Sequence, residues 1–86
     1  MRILFWNTHR NVDINSYILD IVNQNEIDVL VLAEYMAEIN ELNDNLKQCK
    51  KRLFNWNTKG CERIHIWGNY IDVTPGEQIN IFLFKL

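Results

Sequence analysis

The stretch Ile27-Asp28-Val29-Leu30-Val31-Leu32-Ala33-Glu34 constrains this 86-residue chain more than any other. Five consecutive apolar residues, Val29 to Ala33, stand between two acids. A strand with one wet face alternates apolar and polar residues. An unbroken run predicts burial on both faces, as in a parallel sheet covered by helices. The run is too short to span a membrane. Glu34 falls at its carboxyl end, where open α/β sheets place their ligand crevices.

The flanking sequence supplies the partners such a strand needs. Arg2-Ile3-Leu4-Phe5-Trp6 is a second apolar run and predicts a first strand. Asn7-Thr8-His9-Arg10-Asn11 is polar throughout and suits a loop. Asp13 is placed to cap a helix whose Ile14, Tyr17, Ile18, Ile21 and Val22 form one stripe at helical spacing. Strand, helix and strand in this order make a βαβ unit, which is parallel and almost always right-handed. Asn7 and Glu34 are thereby expected at the same edge of the sheet.

A second helix fits residues 37 to 50, with Ile39, Leu42, Leu46 and Cys49 on one stripe. Lys47, Lys50, Lys51 and Arg52 gather at its carboxyl end, where cations complement the helix dipole on a solvated surface. From Leu53 the apolar period shortens to two. Thr58-Lys59-Gly60 predicts a hairpin between Leu53–Asn57 and Cys61–Trp67, and Thr74-Pro75-Gly76-Glu77 suits a type II turn. Residues 78–86 then read as a last strand, with Ile79, Ile81 and Leu83 on one side and Phe82, Phe84 and Leu86 on the other. The fold class is α/β in β-α-β-α-β-β order, and residues 1–86 are a single domain. Its apolar ending reads as truncated.

Composition excludes several classes. Nearly half the residues are apolar and 23% are charged, which fits a globular chain and not a disordered one. A net charge of −2 gives no general attraction for nucleic acid, so phosphate binding would need a cation or a local patch. Cys49 and Cys61 form no CxxC, and no signal peptide precedes Met1-Arg2-Ile3, so a cytoplasmic, reducing setting is expected. Cys61 and His65 stand at C-x3-H spacing without two further ligands, which argues against zinc.

The pattern Ile3-Leu4-Phe5-Trp6-Asn7, an amphipathic helix, then Asp28-Val29-Leu30-Val31-Leu32-Ala33-Glu34 resembles the opening of the endonuclease/exonuclease/phosphatase superfamily. Its members are metal-dependent phosphoesterases related to deoxyribonuclease I and to apurinic endonucleases. The resemblance implies the amino-terminal part of a four-layer α/β/β/α sandwich. It implies that Glu34 holds Mg²⁺, with Mn²⁺ as a substitute, and that Asn7 positions the metal and the scissile phosphate. Both residue types suit a hard cation that prefers oxygen donors and retains several waters. The substrate would be a phosphate ester: DNA, RNA, a phosphoinositide or a small ester.

Two departures stand against the full pattern. Ala33 occupies the position where the family commonly has Gln. The later Gly-Asp-x-Asn and Ser-Asp-His motifs are absent from the sequence. Residues 1–86 are therefore expected to be inactive alone, since Asn7 and Glu34 leave the general base and charge stabilisation unsupplied. Taken singly, an Asn after a strand is a turn former and a Glu there is a solvated acid. His9 could face the same crevice but reads more simply as an exposed loop histidine. His65 and the three tryptophans read as structural. The alternative function is a non-catalytic interaction module that pairs through its exposed last strand.

Overall fold

The apolar run becomes strand β2 (Val29–Ala33), flanked on one side by β1 (Arg2–Asn7) in parallel. A computed structural model describes residues 1–56, 63–69 and 80–84, with α1 (Asn15–Gln24) joining the two strands. The register pairs Ile3 with Val29 and Asn7 with Ala33, so the expected parallel βαβ unit is present. Helix α2 (Ile39–Lys47) follows, then β3 (Phe54–Asn55), β4 (Ile64–Gly68) and β5 (Asn80–Phe84). The sheet order is β3-β4-β2-β1-β5, with β4 antiparallel to both β2 and β3, and β5 parallel to β1. Three strands follow α2, as many as the expected hairpin and last strand supply, and the sheet is mixed.

A single core forms on one side of that sheet. Leu4 and Trp6 of β1, Leu30 and Leu32 of β2, and Trp67 of β4 meet Ile18 and Val22 of α1 and Leu42 and Leu46 of α2. Leu30 and Leu32 are fully buried, and truncating either to Ala costs about 2–5 kcal/mol. The opposite sheet face carries Ile3, Phe5, Val29, Val31, Ile64, Ile66, Ile81 and Leu83, all half-buried or exposed. Burial of β2 on both faces is thus corrected. Both helices pack on one face, and among the described residues no helix covers the other. The five-residue apolar run arises because its second face also bears apolar residues, half-covered by their neighbours.

Three local expectations change. Asp13 does not cap α1; its N–H donates to Asn11 Oδ1 at 2.9 Å, and the N-cap is Ile14, without a side-chain cap bond. The loop turns on Asn11 and α1 starts at Asn15, so Asp13 lies one residue outside the N-cap position. Tyr17 is 60% exposed, because Ile14, Ile18 and Val22 face the sheet and the Tyr17–Ile21 flank overhangs its margin. The β3–β4 ladder pairs Phe54 with Gly68, whereas a hairpin turning on Thr58–Gly60 would pair Phe54 with Ile64. The Trp56 indole lies over Gly68, where an added Cβ would come 2.0 Å from the ring, so only glycine permits this approach. Both expected turns, at 58–60 and 74–77, lie outside the described residues, as does Cys61. No helix among the described residues is long and apolar enough to cross a membrane.

Candidate active site at the carboxyl edge of the sheet

The parallel pairing of β1 and β2 brings their carboxyl ends together, and the loop after β1 is then stitched to the end of β2. Thr8 N–H donates to Ala33 O at 3.0 Å, and Arg10 N–H donates to Glu34 O at 2.9 Å. The buried Thr8 hydroxyl lies 3.2 Å from Ala33 O and 2.9 Å from Glu34 O and donates towards both. On the other side Glu34 N–H donates to Arg63 O at 3.3 Å. Arg10, Glu34 and Arg63 therefore stand in a row across three adjacent chain segments.

This stitching holds the backbone in an unfavourable region. His9, Arg10 and Glu34 have φ of 50°, 61° and 51°, and Glu26, at the end of α1, is the only other non-glycine case among the described residues. Left-handed backbone at such residues costs about 1–3 kcal/mol and persists only where neighbours over-determine it. Three of four such residues lie at one sheet edge, which points to function there.

Glu34 is exposed, with its side chain 45% accessible, and its nearest ionic neighbour is His9, Nδ1 to Oε2 at 3.7 Å. Asn7 is half-buried, and its Oδ1 accepts the His9 N–H at 2.9 Å. His9 thus touches both expected site residues. The two sit at neighbouring strand ends, one residue out of register, since Asn7 pairs with Ala33. Glu34 also lines a crevice of about 480 Å³ with Arg10, Tyr35, Met36 and Arg63, whereas Asn7 does not line it. A larger groove of about 550 Å³ runs along α1 between Trp6, Ile14, Tyr17 and Ile21. That groove is mainly apolar and is lined by none of Asn7, His9, Arg10 and Glu34, so the charged groups of this edge gather at the Glu34 crevice instead.

Tyr35 closes the crevice from below. Its hydroxyl donates to Asn15 Oδ1 at 2.5 Å, and Asn15 Nδ2 donates to Glu38 O at 3.0 Å, which ties the starts of both helices to the site. Burial pushes the Tyr35 phenol up to about 12; the Asn15 bond opposes this, and Glu41 and Glu38 add to it. Tyr35 stays neutral and donates. Its ring packs edge-on against His65 and Trp67, centroids 5.7 and 6.1 Å away. Burial lowers the His65 pKa, consistent with a neutral, structural imidazole stacked on Trp67.

No family model, no curated protein and no solved structure matches the chain. The site must stand on its own geometry.

Among the described residues no group of three or more His, Cys, Asp or Glu converges as a metal cage. The donors that are present, one exposed carboxylate and one amide oxygen, fit a cation that keeps most of its waters and do not fit zinc. Arg10 and Arg63 were not anticipated as site residues. The usable signal was topological: a strand that returns antiparallel beside β2 must begin at the Glu34 edge. Lys51, expected as a solvated cation after α2, instead pairs with the buried Asp28 at the opposite edge, Nζ to Oδ1 at 2.9 Å.

Proposed function

We propose that the carboxyl edge of the β1–β2 pair is part of a Mg²⁺-dependent phosphoesterase site. The observation that carries this reading is the placement of Asn7 and Glu34 at adjacent parallel strand ends, with His9 in contact with both. Glu34 is the metal-holding carboxylate. Asn7 keeps a second lone pair on Oδ1 beyond the one engaged by His9 N–H, which would accept from a metal-bound water or meet the metal. The bound cation would polarise a phosphoryl oxygen and lower the pKa of an attacking water. Tyr35, held neutral, cannot be the general base, and His9 is the titratable group nearest Glu34. Binding of metal without enzymatic turnover is the expected behaviour of these residues alone, since one carboxylate cannot both hold the ion and activate water.

Titration calorimetry with Mg²⁺ tests this directly. Weak, roughly millimolar binding is expected, as one carboxylate leaves most of an octahedral shell to water. Glu34→Gln should abolish it. Equal binding by both proteins would remove Glu34 as ligand. A parallel assay with Mg²⁺ or Mn²⁺ on plasmid DNA, RNA and a chromogenic phosphodiester should show no turnover that Glu34→Ala removes.

One observation favours the alternative, an interaction module. β5 is an edge strand of the sheet order, and its Ile81 and Leu83 are 64% and 68% exposed. Such an edge can add a partner's strand. Under that reading Ile81→Lys would abolish association and Glu34→Gln would leave it intact.

A further inference from the structure

We propose that Arg10 and Arg63 form a two-sided clamp for a phosphate monoester dianion, gripping its terminal oxygens from either side of Glu34. The clamp rests on the phosphoesterase reading for its setting and names the substrate class of that site.

The placement follows from the sheet. Arg10 N–H is bonded to Glu34 O, and Arg63 O is bonded to Glu34 N–H, so the two arginines bracket the end of β2 from the β1 side and the β4 side. Neighbouring strands lie about 4.8 Å apart, which puts the two backbones on the order of 10 Å from each other. Both arginines line the same crevice of about 480 Å³ as Glu34. Neither forms an ion pair with a carboxylate among the described residues. The left-handed backbone of Arg10 and the bond from Glu34 N–H to Arg63 O fix where both side chains start, so only the side chains themselves are ordered when a ligand arrives.

The ligand class follows from charge and shape. Guanidinium forks bind phosphate by two parallel N–H bonds each and stay charged at any accessible pH. Two forks seek about four acceptor positions. A terminal phosphate offers three unsubstituted oxygens; an internal diester offers two, and its ester arms obstruct the second fork. The crevice balance of two cations against one carboxylate also favours a dianion over a monoanion. Metal at Glu34 would reinforce that preference without being needed for it.

Metal-free titration separates this proposal from the phosphoesterase reading. In EDTA-containing buffer, inorganic phosphate, phenyl phosphate and dimethyl phosphate are titrated into the ¹⁵N-labelled chain, with amide shifts and calorimetry as readouts. Phosphate and phenyl phosphate should bind and shift the amides of Arg10, Glu34 and Arg63, while dimethyl phosphate binds at least about tenfold more weakly. Arg63→Gln, at an exposed position, should weaken phenyl phosphate about tenfold with the remaining spectrum unchanged, as should Arg10→Gln. Arg63→Lys should restore only part, because a point charge lacks the fork. Glu34→Gln should bind phosphate a few-fold more tightly in the absence of metal, since a like charge is gone. Wild-type affinity in Arg63→Gln, equal affinity for the diester, or no phosphate binding by the wild type would each overturn the clamp. Phosphate binding that persists in a wild type without Mg²⁺ affinity would instead remove the phosphoesterase reading and leave the clamp standing.

Discussion

Asp28 and Glu34 bracket the same strand and carry the same functional group, yet the two edges of the sheet use them oppositely. At the amino edge, Asp28 has a side chain only 8% accessible. It accepts Arg2 N–H at 2.8 Å and Lys51 Nζ at 2.9 Å, and its backbone bonds Arg2 O and Asn69 N–H. Burial alone would raise its pKa; the Lys51 bond, the Arg2 N–H and nearby positive charge outweigh burial and hold it below the ordinary value. At the carboxyl edge, Glu34 is about half accessible, its closest ionic partner is His9 at 3.7 Å, and its backbone is left-handed. A carboxylate with both oxygens engaged is a structural fastener. Glu34, flanked through its backbone by Arg10 and Arg63, has no such pair of close partners on its carboxylate among the described residues.

Removing the two acids in turn should give the largest difference. Asp28→Ala leaves Lys51 and Arg2 N–H without their acceptor and should cost about 3 kcal/mol in chemical denaturation. Glu34→Ala should change stability by less than about 0.5 kcal/mol, since an exposed pair at 3.7 Å contributes little. Equal losses would erase the distinction between the edges.

Acid titration of stability sharpens the same contrast. The folded-state pKa of Asp28 is depressed, so its contribution is fully present above the unfolded value of about 4 and lost as pH falls through the lower folded value. Stability measured below about pH 4 should therefore fall with a slope that Asp28→Asn reduces.

A smaller effect of opposite sign is expected at the carboxyl edge. Glu34→Gly relieves the φ of 51° and should stabilise the fold by about 1 kcal/mol while abolishing Mg²⁺ binding. Loss of stability there would mean that the left-handed turn costs nothing. Smallest is His9→Asn, which tolerates the same backbone and should stay within about 0.5 kcal/mol of wild type.

The βαβ unit was legible because two apolar runs and one helical stripe leave a single topology. The common edge of Asn7 and Glu34 followed from it. Other features depend on what a residue meets across the fold. Tyr17 shares the apolar spacing of Ile14 and Ile18, and only the position of α1 over the sheet decides that it is exposed. Asp13 falls one residue outside the N-cap because α1 starts at Asn15, a boundary that a single candidate capping residue does not fix. The β3–β4 register is set by the Trp56 ring on Gly68, and spacing to the nearest Gly does not reveal it. Arg10 and Arg63 are 53 positions apart in the sequence and come to flank the backbone of one residue, Glu34, only through strand order.

Paramagnetic mapping with Mn²⁺ tests the asymmetry of the two edges most directly. Low concentrations of the ion, added to the ¹⁵N-labelled chain, broaden amides near the place where it binds. The expected pattern is selective loss of signal at Asn7, His9, Arg10, Glu34 and Arg63, with Arg2, Asp28, Lys51 and Asn69 unaffected. Broadening centred on Asp28 and Glu26 at the amino edge, or spread evenly over the surface acids, would contradict the assignment of the carboxyl edge as the metal and phosphate site.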